Sequence, residues 1–270
     1  MTDAGPTDHS RFTGERPGWG AGFDYDFSRH LAAYEYAATL VAGRRVLDAG
    51  CGEGFGTQNL AAAATEVVGI DYSQEAVDTC RRLWCDGSRP NLRFERVDLT
   101  RAAEDSRHFD VVLSFQVIEH IAEPRPFLRA LAQRLAPGGI LVLTTPNRLR
   151  SASENPFHLR EYVRSELHDE LSALFGEVTI AGIHGNEKVE RFERRRADAV
   201  RSILRLDPLG IRRLLPKSAV EFAFARLARL VRRRAQPHGE EEIKPADFFV
   251  NQSADETALD LLAVCSNARR

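Results

Sequence analysis

Residues 46–57 read Val46-Leu47-Asp48-Ala49-Gly50-Cys51-Gly52-Glu53-Gly54-Phe55-Gly56-Thr57, and the fold follows from how they are read. The apolar start breaks into glycines at alternate positions, and small and apolar residues follow from Thr57 to Ala64. That order predicts a strand, a tight turn and a helix. Glycine suits the turn because it adopts positive φ cheaply and because a missing Cβ lets a ligand approach the backbone. The helix turns its free amide groups and positive dipole end toward whatever occupies the turn. A dinucleotide site favours G-x-G-x-x-G. Here the spacing is G-x-G-x-G, and Phe55 stands where the third glycine of the dinucleotide pattern belongs. The next apolar run, Glu66 to Ile70, ends in Asp71, about twenty residues downstream, where an acid accepts hydrogen bonds from a ribose. That acid fits either class of nucleoside ligand. The alternative is an ordinary strand–helix turn without a ligand, which explains neither the alternate glycines nor the acid.

Outward from this turn the chain alternates. Leu31, Tyr34, Ala38 and Val41 recur at helical spacing and predict a helix over 29–42, with Gly43 as its C-cap. Ser73 caps a helix from Gln74 to about Cys85, and Leu92–Val97 reads as a third strand that ends at Asp98. Phe109–Phe115 is a continuous apolar run, hence a central buried strand. A helix from about Glu123 to Leu135 and a turn at Pro137-Gly138-Gly139 lead into a fifth strand, Ile140–Thr145. A helix near 165–174, a strand at 177–184 and a last strand at 258–265 follow. Strands alternating with helices predict an α/β fold with a doubly wound, mostly parallel sheet. Ligands in such sheets lie beyond the strand C-termini, which gathers Gly50, Asp71, Asp98, Gln116–His120 and Pro146-Asn147 around one crevice.

The segments Val46–Gly56, Val68–Asp71, Phe109–His120 and Leu141–Asn147 resemble, in order and spacing, the motifs of class I S-adenosylmethionine (SAM) dependent methyltransferases. The resemblance covers about half the chain. It implies a seven-stranded Rossmann-like sheet whose last strand is antiparallel and lies between the fifth and sixth. It also implies SAM as cofactor, held by Asp48, Gly50, Gly52, Gly54, Asp71, Tyr72, Asp98 and Gln116, with Asp98 accepting from the adenine amine or standing as a plain strand-end acid.

SAM brings its own activated methyl, so the protein's tasks are alignment and, for a hydroxyl acceptor, removal of a proton. An aliphatic hydroxyl needs a base, or a metal that lowers its pKa. The candidates are Glu119 and His120 after the fourth strand, with His158 and Glu161 after the fifth. Gln116-Val117-Ile118-Glu119-His120 is similar to the E-x-x-E-H motif of small-RNA 2′-O-methyltransferases and ubiquinone-pathway O-methyltransferases, with Gln116 in place of the first Glu. That likeness implies a Mg²⁺ or Mn²⁺ site at Glu119, His120 and His158. A metal-free histidine base and purely structural roles stay open beside it. Thr13-Gly14-Glu15-Arg16, Thr145-Pro146-Asn147-Arg148 and Asn155-Pro156-Phe157-His158-Leu159-Arg160-Glu161 add a resemblance to actinobacterial sugar or polysaccharide O-methyltransferases. The expected reaction is O-methylation of a sugar hydroxyl, with a small phenol, quinone or other natural product as the alternative acceptor.

The organisation expected is an N-terminal arm over 1–28, a SAM-binding core over 29–184, a helical insertion or lid over 185–257, and a last strand and tail over 258–270. A Trp and an Arg in the arm (Arg16, Trp19) either dock near the cofactor mouth or are incidental. Residues 188–234 carry fifteen Lys/Arg against five Asp/Glu, and Val220, Phe224, Leu227 and Val231 share one helical face. Such a helix rests on an anionic membrane surface, binds a polyanionic acceptor, or packs as a lid with solvated arginines. A formal charge of −2 for the whole chain predicts no stable nucleic-acid partner. Cys51, Cys80, Cys85 and Cys265 show no zinc spacing and read as reduced thiols. No apolar run approaches a membrane span and residues 1–10 do not read as a signal peptide, so a cytoplasmic protein is expected. The oligomeric state has no sequence signal.

Overall fold

The computed structural model describes residues 24–99, 107–151, 155, 157–204, 242–253 and 256–269. Fourteen elements order the described chain: α1 Asp24–Ala38, β1 Arg45–Ala49, α2 Phe55–Leu60, β2 Glu66–Asp71, α3 Gln74–Trp84, β3 Leu92–Arg96, β4 Phe109–Phe115, α4 Pro124–Gln133, β5 Leu135–Pro146, α5 Arg164–Ser172, β6 Phe175–Gly185, α6 Glu187–Leu204, β7 Phe248–Asn251 and β8 Asp260–Ala268. They form one sheet of order β3-β2-β1-β4-β5-β8-β6-β7. The first five strands run parallel, while β8 lies antiparallel between β5 and β6.

Strand residues alternate between two buried layers, which is why the central strands read as unbroken apolar runs. Val46, Val67, Val111 and Leu113 face a layer built with α1, α2, α3 and α6. Leu47, Val68, Val112 and Leu143 face the layer of α4 and α5, where Phe127, Leu128, Leu167 and Leu171 are fully or nearly fully buried. Asp48 takes its turn in the first layer and is therefore a carboxylate inside the core.

The expected doubly wound sheet is present, with two corrections. It has eight strands rather than seven, because β7 pairs antiparallel with the far edge of β6. A four-residue edge strand is too short to carry a period that sequence could show. Residues 185–257 are accordingly not all helix: their described part contains α6, a single 3-10 turn at Pro245–Asp247 and β7. Tyr25 of α1 stacks on Phe192 of α6 at 4.4 Å and meets the edge of Phe248 at 5.6 Å, tying these additions to the core. Several ends also move. α1 begins at Asp24, inside the segment expected to be arm, and ends at Ala38. β5 begins at Leu135 and carries residues 136–139 as a bulge, so that Phe109 pairs with Leu135 and Val111 with Ile140. The arm residues 1–23, including Arg16 and Trp19, and the basic stretch 205–241, including Val220, Phe224, Leu227 and Val231, lie outside the described residues. No described helix is long and apolar enough to cross a membrane.

Candidate active site

The glycine turn and Asp71 close on each other. Gly50 and Cys51 donate their amides to the Ile70 carbonyl, at 2.8 and 3.0 Å. Gly52 donates to Asp71 Oδ2 at 3.1 Å, and Ser73 donates to Oδ1 at 2.9 Å. The acid expected to meet a ribose thus also pins the turn. φ is positive at Gly50, Gly52 and Gly54, so the turn needs glycine for conformation. What a Cβ would meet separates their roles. At Gly52 it would meet nothing within 4 Å, so this position faces open space. At Gly50 it would strike Val117 Cγ2 at 2.4 Å, and at Gly54 the Phe94 ring at 2.8 Å. Those two are required by neighbouring side chains before any ligand is considered. Phe55, in place of the third glycine of a dinucleotide turn, sits edge-on to Phe27 at 5.4 Å and Trp84 at 5.6 Å. It anchors the turn in the core.

Asp48, at the end of β1, is fully buried. Its Oδ2 accepts from Tyr34 Oη at 2.9 Å and from Thr57 Oγ1 at 2.6 Å. Oδ1 has no partner among the described residues. Burial pushes this carboxyl up to about 6, against the pull of the Thr57 and Tyr34 hydrogen bonds. Tyr72 is 69% exposed beside Asp71, and Asp98 is exposed two residues beyond the end of β3. Gln116, directly after β4, adopts φ 56°, and its Nε2 donates to Thr144 Oγ1 at 3.3 Å. A non-glycine residue held there at a strand C-terminus carries strain of the kind found at functional sites.

A second group lies beyond β4 and β5. One ligand-capable atom from each of Glu119, His120 and His158 falls within 4.8 Å of the others. Glu119 is 1% exposed, and Thr145 Oγ1 donates to its Oε2 at 3.0 Å. Burial pushes Glu119 up to about 8, so a neighbouring cation would be needed to keep it charged at neutral pH. His120 Nδ1 lies 3.0 Å from the Phe157 carbonyl, which only accepts. Nδ1 therefore carries a proton, which in the neutral ring leaves the lone pair on Nε2. The His158 ring lies edge-on to His120 at 5.1 Å, and its Nδ1 lies 2.7 Å from Glu161 Oε1. Burial pushes Glu161 up, but the His158 and Ser151 hydrogen bonds outweigh it and hold the carboxyl below its usual range. The loop that carries His158 is stitched to the other half of the group, since Leu159 and Arg160 both donate their amides to the Glu119 carbonyl, at 2.8 and 3.2 Å. Asn147, placed at the crevice by the sequence, spends its side chain on the Ala258 carbonyl and the Leu149 amide.

Thr57 and Tyr34, which hold the Asp48 carboxylate, have no sequence signal for that contact, and Thr145, although part of a motif, has none for its bond to Glu119. The pairing of His158 with Glu161 has one, an H-x-x-E spacing in a loop.

The family described as "Methyltransferase domain" matches residues 25–183 of this chain. A relative from Mycolicibacterium smegmatis, named "Probable S-adenosylmethionine-dependent methyltransferase", is 37% identical over 182 residues, which cover 64% of this chain and 68% of the relative. A ubiquinone biosynthesis O-methyltransferase of Albidiferax ferrireducens is 34% identical over 109 residues, covering 40% of this chain and 43% of its own. Among solved structures, that of the cyclase SpnF has the same fold at a TM-score of 0.58 and 20% identity, covering 90% of this chain and 82% of that one.

Proposed function

The chain belongs to the methyltransferase-domain family, as a SAM-dependent enzyme, and from that premise we propose that it methylates a hydroxyl group prepared by Glu119, His120 and His158. The observation that carries this reading is the meeting of those three side chains at the C-terminal edge of the sheet, next to the glycine turn in the strand order β1-β4-β5. SAM supplies an activated methyl, so alignment and the acceptor's proton are what the protein must provide.

The residues fit the cofactor. Gly52 opens onto free space, Asp71 orients the turn beneath it, and Asp48, whose Oδ1 has no partner among the described residues, lies directly before the turn. In this reading Tyr72 and Asp98 border the adenine end of the site, and Gly50, Gly54 and Gln116 shape its floor. The second group fits a divalent cation as well. One carboxylate and two imidazoles suit Mn²⁺ better than Mg²⁺, which prefers an all-oxygen shell. A cation held there would lower the pKa of an acceptor hydroxyl. Without it, His158 is a base oriented by Glu161, the arrangement a proton acceptor needs.

For the acceptor we take a sugar hydroxyl of a glycan or glycosylated metabolite, on the resemblance of the Thr145–Arg148 and Asn155–Glu161 segments. A phenol or quinone acceptor is the second reading, favoured by the similarity to enzymes named for ubiquinone biosynthesis. The basic composition of 188–234 favours an anionic acceptor or an anionic membrane surface. The test is to incubate the protein with SAM and panels of sugars and phenols, with and without chelator, and to detect methylated product by mass spectrometry. Product from the sugar panel, suppressed by chelator and restored by Mn²⁺, is expected. Product from the phenols alone would move the assignment to the second reading, and methylation of nitrogen acceptors only would overturn hydroxyl transfer.

A further inference from the structure

We propose that Glu161 is a positioning residue for methyl transfer, whose carboxylate fixes the tautomer and ring orientation of His158. This rests on the reading that His158 takes part in preparing the acceptor.

The hydrogen-bond network determines where the His158 proton sits. Asn155 Oδ1 accepts the Phe157 amide at 3.1 Å, so the atom of Asn155 that lies 2.9 Å from His158 Nε2 is the amide nitrogen, which only donates. Nε2 must then be the unprotonated acceptor. A neutral imidazole with a bare Nε2 carries its proton on Nδ1, and that atom lies 2.7 Å from Glu161 Oε1. The other Glu161 oxygen, Oε2, accepts from Ser151 Oγ, which holds the carboxylate from behind. The side chains of His158 and Glu161 are 13% and 12% exposed, so water competes poorly for this contact.

Glu161, backed by Ser151, and Asn155 together keep Nε2 unprotonated, and its lone pair can ligate a cation or take a proton once the Asn155 amide turns away from it. A carboxylate on the far nitrogen also raises the basicity of the ring. Without Glu161 the Nδ1 proton loses its acceptor and only Asn155 still disfavours a proton on Nε2, so the Nε2-protonated form gains ground, while the cofactor turn at Gly50–Gly54, whose amides bond to Ile70 and Asp71 of β2, is untouched.

The experiment is long-range proton–nitrogen NMR on the full chain labelled at histidine, with His158→Ala used to assign the ring, paired with kinetics on Glu161→Ala and Glu161→Gln. The wild type should show His158 protonated on Nδ1. Glu161→Ala should bring in the Nε2-protonated form and lower kcat about 10- to 100-fold at unchanged KM for SAM. Glu161→Gln keeps an acceptor oxygen and the same shape, so it should recover part of that loss, and it carries the test if the alanine variant does not fold. A wild-type His158 protonated on Nε2, or folded variants that keep both the wild-type tautomer and the wild-type kcat, would overturn the proposal. If the tautomer changes as expected in Glu161→Ala but His158→Ala transfers methyl groups at full rate, the positioning stands and the reading of His158 as part of the chemistry falls.

Discussion

Asp48 shows most plainly how one residue's neighbours set its chemistry. The strand's two-residue period turns it into the core, where Tyr34 and Thr57 satisfy one oxygen and the other has no partner among the described residues. Its carboxyl is raised from the ordinary value near 3.8 to about 6, so folding favours the protonated form. The stability this contributes is complete below about 3.8 and is lost as pH rises through about 6. Asp48→Asn stays neutral, so in the absence of SAM it should gain on the wild type by on the order of 2–3 kcal/mol between pH 4 and pH 7. Denaturant titrations at the two pH values check this, and an unchanged difference between the proteins would mean that burial does not govern the group. Asp71 makes the complementary case. Asp71→Ala removes an acceptor of two backbone amides and of the expected ribose, and should cost about 1.5–3 kcal/mol of SAM affinity, roughly 10- to 200-fold in Kd. Calorimetry showing wild-type affinity would take Asp71 out of the site. At this scale Glu119, His120 and His158 were legible because their types and order match a motif. Glu161 was named beside them on its spacing from His158, but the second hold on its carboxylate, from Ser151, was not, because a loop's path has no period from which to read which side chains meet.

At the scale of elements, the glycine turn does two separable things. Gly56 starts α2, and a Cβ there would lie 2.1 Å from the Tyr34 ring of α1. Its job is to let two helices approach. Gly52 borders open space and serves the ligand side. Gly56→Val should therefore destabilise the fold by about 1–3 kcal/mol or more through overpacking, whereas Gly52→Val meets no atom and strains only the turn at its positive φ, so it should cost less stability while abolishing SAM binding. Circular dichroism melts and SAM titration of the pair separate these effects; a Gly52 variant that folds and binds SAM normally would show that the turn is not the cradle. The turn was legible because its glycines are spaced for a ligand. Which glycine faces which neighbour was not, since that depends on α1, which lies before the turn in sequence and crosses it in space. Strand β7 escaped for a plainer reason: Phe248–Asn251 is recognisable only once β6 is beside it.

On the scale of the molecule, unbroken apolar runs gave the parallel strands, and their separation by helices gave the winding. The antiparallel β8 was expected from resemblance rather than from its own residues, and it is where that resemblance put it, between β5 and β6. The pair of half-buried Arg29 and buried Asp260, with Arg29 Nε donating to Asp260 Oδ2 at 2.6 Å, locks α1 over the start of β8 and closes the sheet's C-terminal edge. This scaffold does not by itself choose a reaction, since a structure titled as a cyclase has it too. The proposal of hydroxyl transfer therefore stands on the group after β4 and β5. The measurement that reaches it most directly is the rate of methyl transfer by Glu119→Ala and His158→Ala, each with SAM affinity determined on the same preparation. Loss of about 10²–10⁴ in kcat with SAM affinity within a few-fold of wild type is the predicted result, because the proposal has these groups act on the acceptor and not on the cofactor. Full activity in both single variants would contradict the account and leave alignment against the methyl donor as the source of rate.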